Sequence, residues 1–277
     1  MLRRARAATA RFALAPPPFL VERAAARCGI SAIRPVDGRG DPGRLITEGE
    51  RGRTILTVDR RLLPRTPQWN GHVAMTAART LLPPGTSGAD ADELVEMAAA
   101  ELLLPARVFR PIAARTDLTM DGLRDLARRF SAPIRLAARQ WLLTGTWAGY
   151  ALLWRDEPMG VRLRWRAASA GAPYPATVCI GARADDVWRD RSRLDATLRT
   201  GRPHHGVEEV RTGSGASWWF TRFGIVREDG GRAVLAIVVL DRHDVISGRA
   251  RSPEGIDSGP SNKRRTAGRR SPARRGR

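Results

Sequence analysis

Apolar and polar positions along the chain divide it into a helix-rich first half and a strand-rich second half. Phe19–Cys28 carries small apolar residues at helical spacing, and Gly29 is its C-terminal stop. Residues 36–52, rich in Gly, Asp and Arg, read as loop or hairpin, and the β-branched run Thr54–Val58 reads as a strand. A helix bearing His72 follows Trp69 and is broken by Pro83-Pro84-Gly85. A second helix begins near Asp90, with Glu93 three residues later in a capping-box arrangement, runs to Leu104 and stops at Pro105. Two more helices are expected over Leu118–Phe130 and Ile134–Leu143, ended by Gly145.

From about residue 150 the period shortens. Val161–Arg166 alternates strictly, and Thr177–Ile180 reads as another strand. Asp185–Thr200 reads as one helix closed by Gly201. Trp218–Val226 and Ala233–Leu240 read as two strands joined by the turn 227–232. The pattern predicts an α+β protein with a basic extension at 1–15, a domain at 16–113, a helical segment at 114–149, a small α+β domain at 150–246 and a disordered Arg-rich tail at 247–277.

Charge sharpens this division. The net charge is +20, and from Arg249 to Arg277 ten basic residues face two acidic ones. Arg3, Arg4, Arg6 and Arg11 add four more cations at the other end, where the extension reads as loose. Basic ends attract phosphate backbones without reading sequence, so nucleic acid is a partner open to the tail. Cys28 and Cys179 lie far apart with no metal-ligand spacing, which fits a reducing compartment better than a disulfide framework. No apolar run reaches membrane-spanning length and no secretory signal stands at the start, so a cytoplasmic protein without a membrane partner is expected.

The paired helices of 69–105 pose the chemical question. A helix-borne zinc peptidase site needs two imidazoles four residues apart, a Glu beside the first as general base, and a third ligand from a following helix. His72 can supply the first imidazole. Val73 stands where the base belongs and cannot take a proton, and Thr76 stands where the second imidazole belongs. Other constellations are weaker. Pro203-His204-His205-Gly206 reads as a surface loop, Gly85–Gly88 lacks the Lys of a phosphate loop, and Gly213–Ser217 is not a nucleophile elbow. Trp218-Trp219-Phe220 reads as core plus one exposed aromatic.

The helix ending Ala98-Ala99-Ala100-Glu101-Leu102-Leu103-Leu104-Pro105, placed after a His-bearing helix and the 54–58 strand, resembles the ImmA/IrrE metallo-endopeptidases. Leu123–Phe130 with Ala137-Ala138-Arg139 is similar to the helix-turn-helix-like segment that follows the peptidase core, and the Arg162–Arg166 strand and later hairpin to a GAF-like sensor part. The resemblance implies a zincin-like first domain. Within it, His72 matches the first metal ligand and Asp92 the third, with Glu93 the alternative one register on. It also implies zinc as cofactor and a DNA-binding repressor as partner, in transcription regulation and stress response. With Val73 and Thr76 at the catalytic positions, the expectation is a pseudopeptidase with no catalytic residue and no bound zinc, acting on or binding a repressor. Two alternatives stand beside it. One is a working zinc endopeptidase with atypical ligands. The other is a nucleic-acid-binding regulator using Arg128, Arg129, Arg135, Arg139 and Gln140 of the helical pair together with the Arg-rich ends.

Overall fold

The computed structural model describes residues 1–10, 17–37, 43–48 and 53–240, apart from 63, 65, 146, 171, 173–177, 207, 212–216 and 229–231; for 43–48, 208–211, 217–228 and 240 it describes the backbone alone. The Gly213–Ser217 motif, the expected tail and the tip of the 227–232 turn therefore lie largely outside the described residues, as do the Trp218–Phe220 side chains.

The chain opens on helix α1 (Leu2–Thr9), in a stretch that reads from sequence as loose extension. Its turns are basic outside, but Ala5 and Thr9 are buried against α4 (Ala89–Leu103), so one small-residue face holds it down. Helix α2 (Val21–Arg27) leads through Gly29, at φ +91°, into β1 (Ile30–Val36). That strand escapes the alternation test because Arg34 and Pro35 interrupt its apolar run. β1 runs parallel to β3 (Arg53–Asp59), and β2 (Gly43–Glu48) pairs antiparallel with β3 on its other side, in the order β1-β3-β2. The central strand buries Ile55, Leu56 and Val58, as a strand with neighbours on both edges should.

Helix α3 (Pro67–Arg79) starts two residues before the expected Trp69: Thr66 accepts a hydrogen bond from the Trp69 amide at 3.3 Å, and Pro67 opens the first turn. Its first turns lie close on the corner between α6 (Met120–Arg129) and α7 (Ile134–Thr144). Asn70 Nδ2 donates to the Ser131 carbonyl at 2.7 Å, and a Cβ on Gly71 would meet Pro133 Cγ at 2.5 Å. α4 begins at Gly88, whose φ of +81° suits glycine, with no side-chain cap. The expected Asp90–Glu93 capping box does not form, and Glu93 points instead to Arg139. After Pro105 comes α5 (Ala106–Ala113), which carries Pro111 and escaped sequence detection for that reason. The expected pair α6 and α7 is present, α6 capped by Thr119 on the Gly122 amide at 3.0 Å.

The second half is an antiparallel sheet of β4 (Gly149–Arg155), β5 (Arg162–Ala168), β6 (His204–His205), β7 (Glu208–Arg211), β8 (Ser217–Glu228) and β9 (Ala233–Leu240). Its order is β5-β4-β9-β8-β6, with β7 also on β8. The two histidines expected in a loop form the short strand β6, with His204 opposite Ile225 and His205 opposite Gly224. Residues 178–180 are not a strand. The single helix expected over 185–200 is two, α8 (Ala184–Val187) and α9 (Ser192–Thr200), split where Trp188 turns into the core. Asp190 starts the second by accepting from the Ser192 amide at 2.8 Å.

Both faces of this sheet are buried. Tyr150, Leu152 and Trp154 of β4 with Val234, Ala236 and Val238 of β9 join Val187, Trp188 and Leu194 in a small core. Their alternates Ala151, Leu235, Ile237 and Val239 join the large core of the helical body. β5 would put Leu163 and Trp165 on one face if it alternated strictly. It does not: Leu153 faces Trp165 while Trp154 faces Leu163, so Arg164 is an extra residue. This bulge sends Leu163 to the small core and Trp165 to the helical body.

Candidate functional site

His72 sits in the second turn of α3 and is half-buried. Val73 beside it is sealed in the core at 0% exposure. Thr76 is buried, and its hydroxyl donates to the His72 carbonyl at 2.9 Å, so its oxygen is held along its own helix. Asp92 and Glu93 are exposed in the first turn of α4. Among the described residues, no three His, Cys, Asp or Glu side chains come together in a metal-holding group. Cys28 adds no nucleophile, since burial pushes its thiol up to about 11 against the pull of Arg4, and it stays protonated at neutral pH.

What α4 does bring together is a cluster of opposite charge. Glu93 and Glu96 lie one turn apart on α4, Arg135 and Arg139 one turn apart on α7. Arg139 bonds Glu96 at 3.1 Å and Glu93 at 3.3 Å, and Arg135 reaches Glu96 at 3.4 Å. Trp165, delivered by the bulge, donates its indole N–H to Glu96, and both guanidiniums lie 5.6 Å from the centre of its ring. Arg139 and Glu96 are almost wholly buried; Arg135 is about one-third exposed. A buried pair of this kind must be multiply bonded to offset its desolvation, and here one carboxylate receives two cations and a ring N–H.

Of the arginines considered for nucleic acid, Arg128 and Arg129 are exposed, while the two on α7 join this cluster. Arg135 and Arg139 are committed to carboxylates, and Arg128 pairs with Asp125 at 2.5 Å. Gln140, expected as a base reader, is 2% exposed and donates to the Leu104 carbonyl at 2.7 Å and to Glu101 at 3.3 Å. Neither Glu96 nor Trp165 was singled out from sequence. The available signal was the match of two carboxylates at i, i+3 on one helix with two arginines at i, i+4 on another.

Glu101, in the Leu-rich end of α4, is 4% exposed. Its Oε1 accepts from the Ala106 amide at 3.2 Å, which ties the end of α4 to the start of α5 across Pro105. Arg6 of α1 approaches it at 3.9 Å. Burial pushes the Glu101 carboxyl above the usual carboxylate range, with the Ala106 amide, Gln140 and Arg6 pulling it back down.

These elements define a mixed α/β protein in which a helical body with its own three-stranded sheet is held to an antiparallel sheet by a buried charge cluster. The fold is similar to that of a Mycobacterium tuberculosis transcriptional regulator, with a TM-score of 0.57 over 86% of this chain and 77% of that one, at 17% identity. At that identity the likeness shows the fold alone. The Erythrobacter litoralis EL346 blue-light activated histidine kinase gives 0.27 over 39% of this chain and 36% of its own, at 13% identity. An RNA-binding light-oxygen-voltage receptor gives 0.28 over 62% and 60%, at 12% identity. Those two scores are too low to carry an argument. No protein-family model matches the chain, and no curated protein matches it in sequence. No helix among the described residues is long and apolar enough to cross a membrane.

Two outcomes are expected from this geometry. Arg139→Ala removes the buried cation from Glu96, leaves it only Arg135 and the Trp165 N–H, and should cost about 3 kcal/mol, whereas Arg135→Ala, at the wet edge, should cost about 1 kcal/mol or less. Urea unfolding of the two variants measures the difference, and equal losses would refute the cluster. The raised Glu101 group stabilises the fold while protonated; that contribution is full below the ordinary carboxylate range and is lost as pH rises through the raised value. The stability of wild type relative to Glu101→Gln should therefore fall as pH rises above the ordinary carboxylate range of about pH 4. A constant or rising difference would contradict the shift.

Proposed function

We propose that this chain is a regulatory protein on an ImmA/IrrE-type scaffold that binds a transcriptional repressor without cleaving it. The observation that carries the reading is the pair of positions beside His72. A general base and a second imidazole are the two groups without which a helix-borne zinc cannot activate water. Here those positions hold Val73, closed off in the core, and Thr76, whose hydroxyl is spent on the His72 carbonyl. Asp92 and His72 alone would hold zinc weakly, and Glu93, the alternative third ligand, is drawn to Arg139.

The order of elements supports the scaffold: α2, the three-stranded sheet, the His-bearing α3, then α4 ending in Glu101-Leu102-Leu103-Leu104-Pro105. On this reading the body from α1 to α5 is the zincin-like part, α6 and α7 the helix-turn-helix-like segment, and the second sheet the GAF-like part. The regulatory role is carried over from the mycobacterial protein of similar fold, which is named a transcriptional regulator. With the α7 arginines engaged internally, the partner we favour is a protein rather than a duplex.

Deleting the gene should change the transcript profile of its host, and reintroducing either wild type or His72→Ala should restore it equally. An unchanged profile on deletion would sink the regulatory reading. Failure of His72→Ala alone to restore it, with the variant folded, would sink the non-hydrolytic one.

A further inference from the structure

A cavity of about 530 Å³ lies between α1 and the corner where α4 turns into α5, away from His72 and from the charge cluster. Its size falls in the range of small-molecule sites, roughly 300–1,000 Å³. Glu101 lies in its wall. Arg6 and Thr9 line it from α1, and Arg107, Arg110 and Pro111 from α5. Three arginines thus line one concavity against a single carboxylate. Like charges three residues apart on a helix repel, so Arg107 and Arg110 are held in an arrangement that an anion would relieve. Arg107 stands near the start of α5, the end whose macrodipole favours negative charge.

The surplus of two positive charges matches a phosphomonoester, which carries about −1.5 to −2 at neutral pH and takes paired guanidinium donors well. The site is more than a phosphate cradle. Glu101 still has acceptor capacity beyond the bonds it makes to the Ala106 amide and Gln140, and the proline lining is apolar. An organic part bearing hydroxyls fits that combination.

We propose that this cavity binds a small phosphorylated organic molecule of the sugar-phosphate class. Arg107 and Arg110 grip the phosphate, Arg6 closes over it, and Glu101 accepts from a hydroxyl of the organic part. The site stands apart from the regulatory reading and would hold whether or not the chain controls transcription. Because Glu101 also joins α4 to α5 and lies beside α1, an occupant there would fix the position of α1 on the body.

The test is calorimetric titration of the full chain with ribose 5-phosphate, ribose and inorganic phosphate, at salt high enough to screen the basic ends. Ribose 5-phosphate should bind saturably with one site per chain, tighter than inorganic phosphate, and ribose should not bind. Arg107→Gln/Arg110→Gln should weaken it at least about tenfold, while Arg199→Gln, on the distant α9, should leave it unchanged. The double variant alters exposed side chains only, and an unchanged circular dichroism spectrum verifies its fold. No saturable binding of ribose 5-phosphate at millimolar concentration, equal binding of inorganic phosphate, or full affinity in the double variant would each overturn the proposal.

Discussion

The contact on which the arrangement of this protein turns is the burial of Glu96 and Arg139 beneath the ring of Trp165. Two ions taken out of water at a helix–sheet boundary are costly, and several kcal/mol per ion must be recovered locally. The recovery here draws on three distant segments: Glu93 and Glu96 from α4, Arg135 and Arg139 from α7, and the Trp165 indole from β5. Remove any one segment and the others keep a charge with too few partners. Apolar packing between the helical body and the sheet is non-directional. The cluster adds direction to it, because the guanidinium plane, the carboxylates and the ring edge must meet in one geometry. It is not perfectly satisfied, since the Arg139 Nε is buried without a hydrogen-bond partner among the described residues.

The bulge at Arg164 shows how backbone irregularity serves this contact. A strand with unbroken alternation would have sent Trp165 into the small core with Leu163, on the face away from α4. One inserted residue reverses the phase, and the largest aromatic side chain of β5 arrives above Glu96. It was also one of the features that a linear reading could not reveal. Val161–Arg166 alternates in letters, and letters carry no sign of a bulge when the residues on both faces are apolar. Thr54–Val58, the His72 helix, the α6–α7 pair and the β8–β9 hairpin were legible because their periods are clear and their stops are explicit: Pro83-Pro84-Gly85, Gly145 and the Gly-rich turn. The small-residue helix α1, the Pro-containing α5 and the interrupted strand β1 were not, since each draws its stability from the surface it covers rather than from its own pattern. The charges of α4 and α7 were legible as residues but not as partners, because pairing across 39 or more positions depends on the fold.

The same helix α4 therefore carries two separate burials of acid. Halfway along it, Glu96 is buried against Arg135 and Arg139, with the exposed Glu93 one turn earlier on the same Arg139. Near its end, Glu101 is held in the interior and organises the turn into α5. Between them Ala98, Ala99 and Ala100 are packed in the core. Glu96 and Glu101 act as structural fasteners in the first place.

The account stands most directly on metal content. The protein purified from cells grown with ample zinc, measured by elemental mass spectrometry beside His72→Ala, should hold well under one zinc per chain, with no difference between the two proteins. One zinc per chain in wild type, lost in His72→Ala, would contradict it and restore a metal centre to α3 and α4.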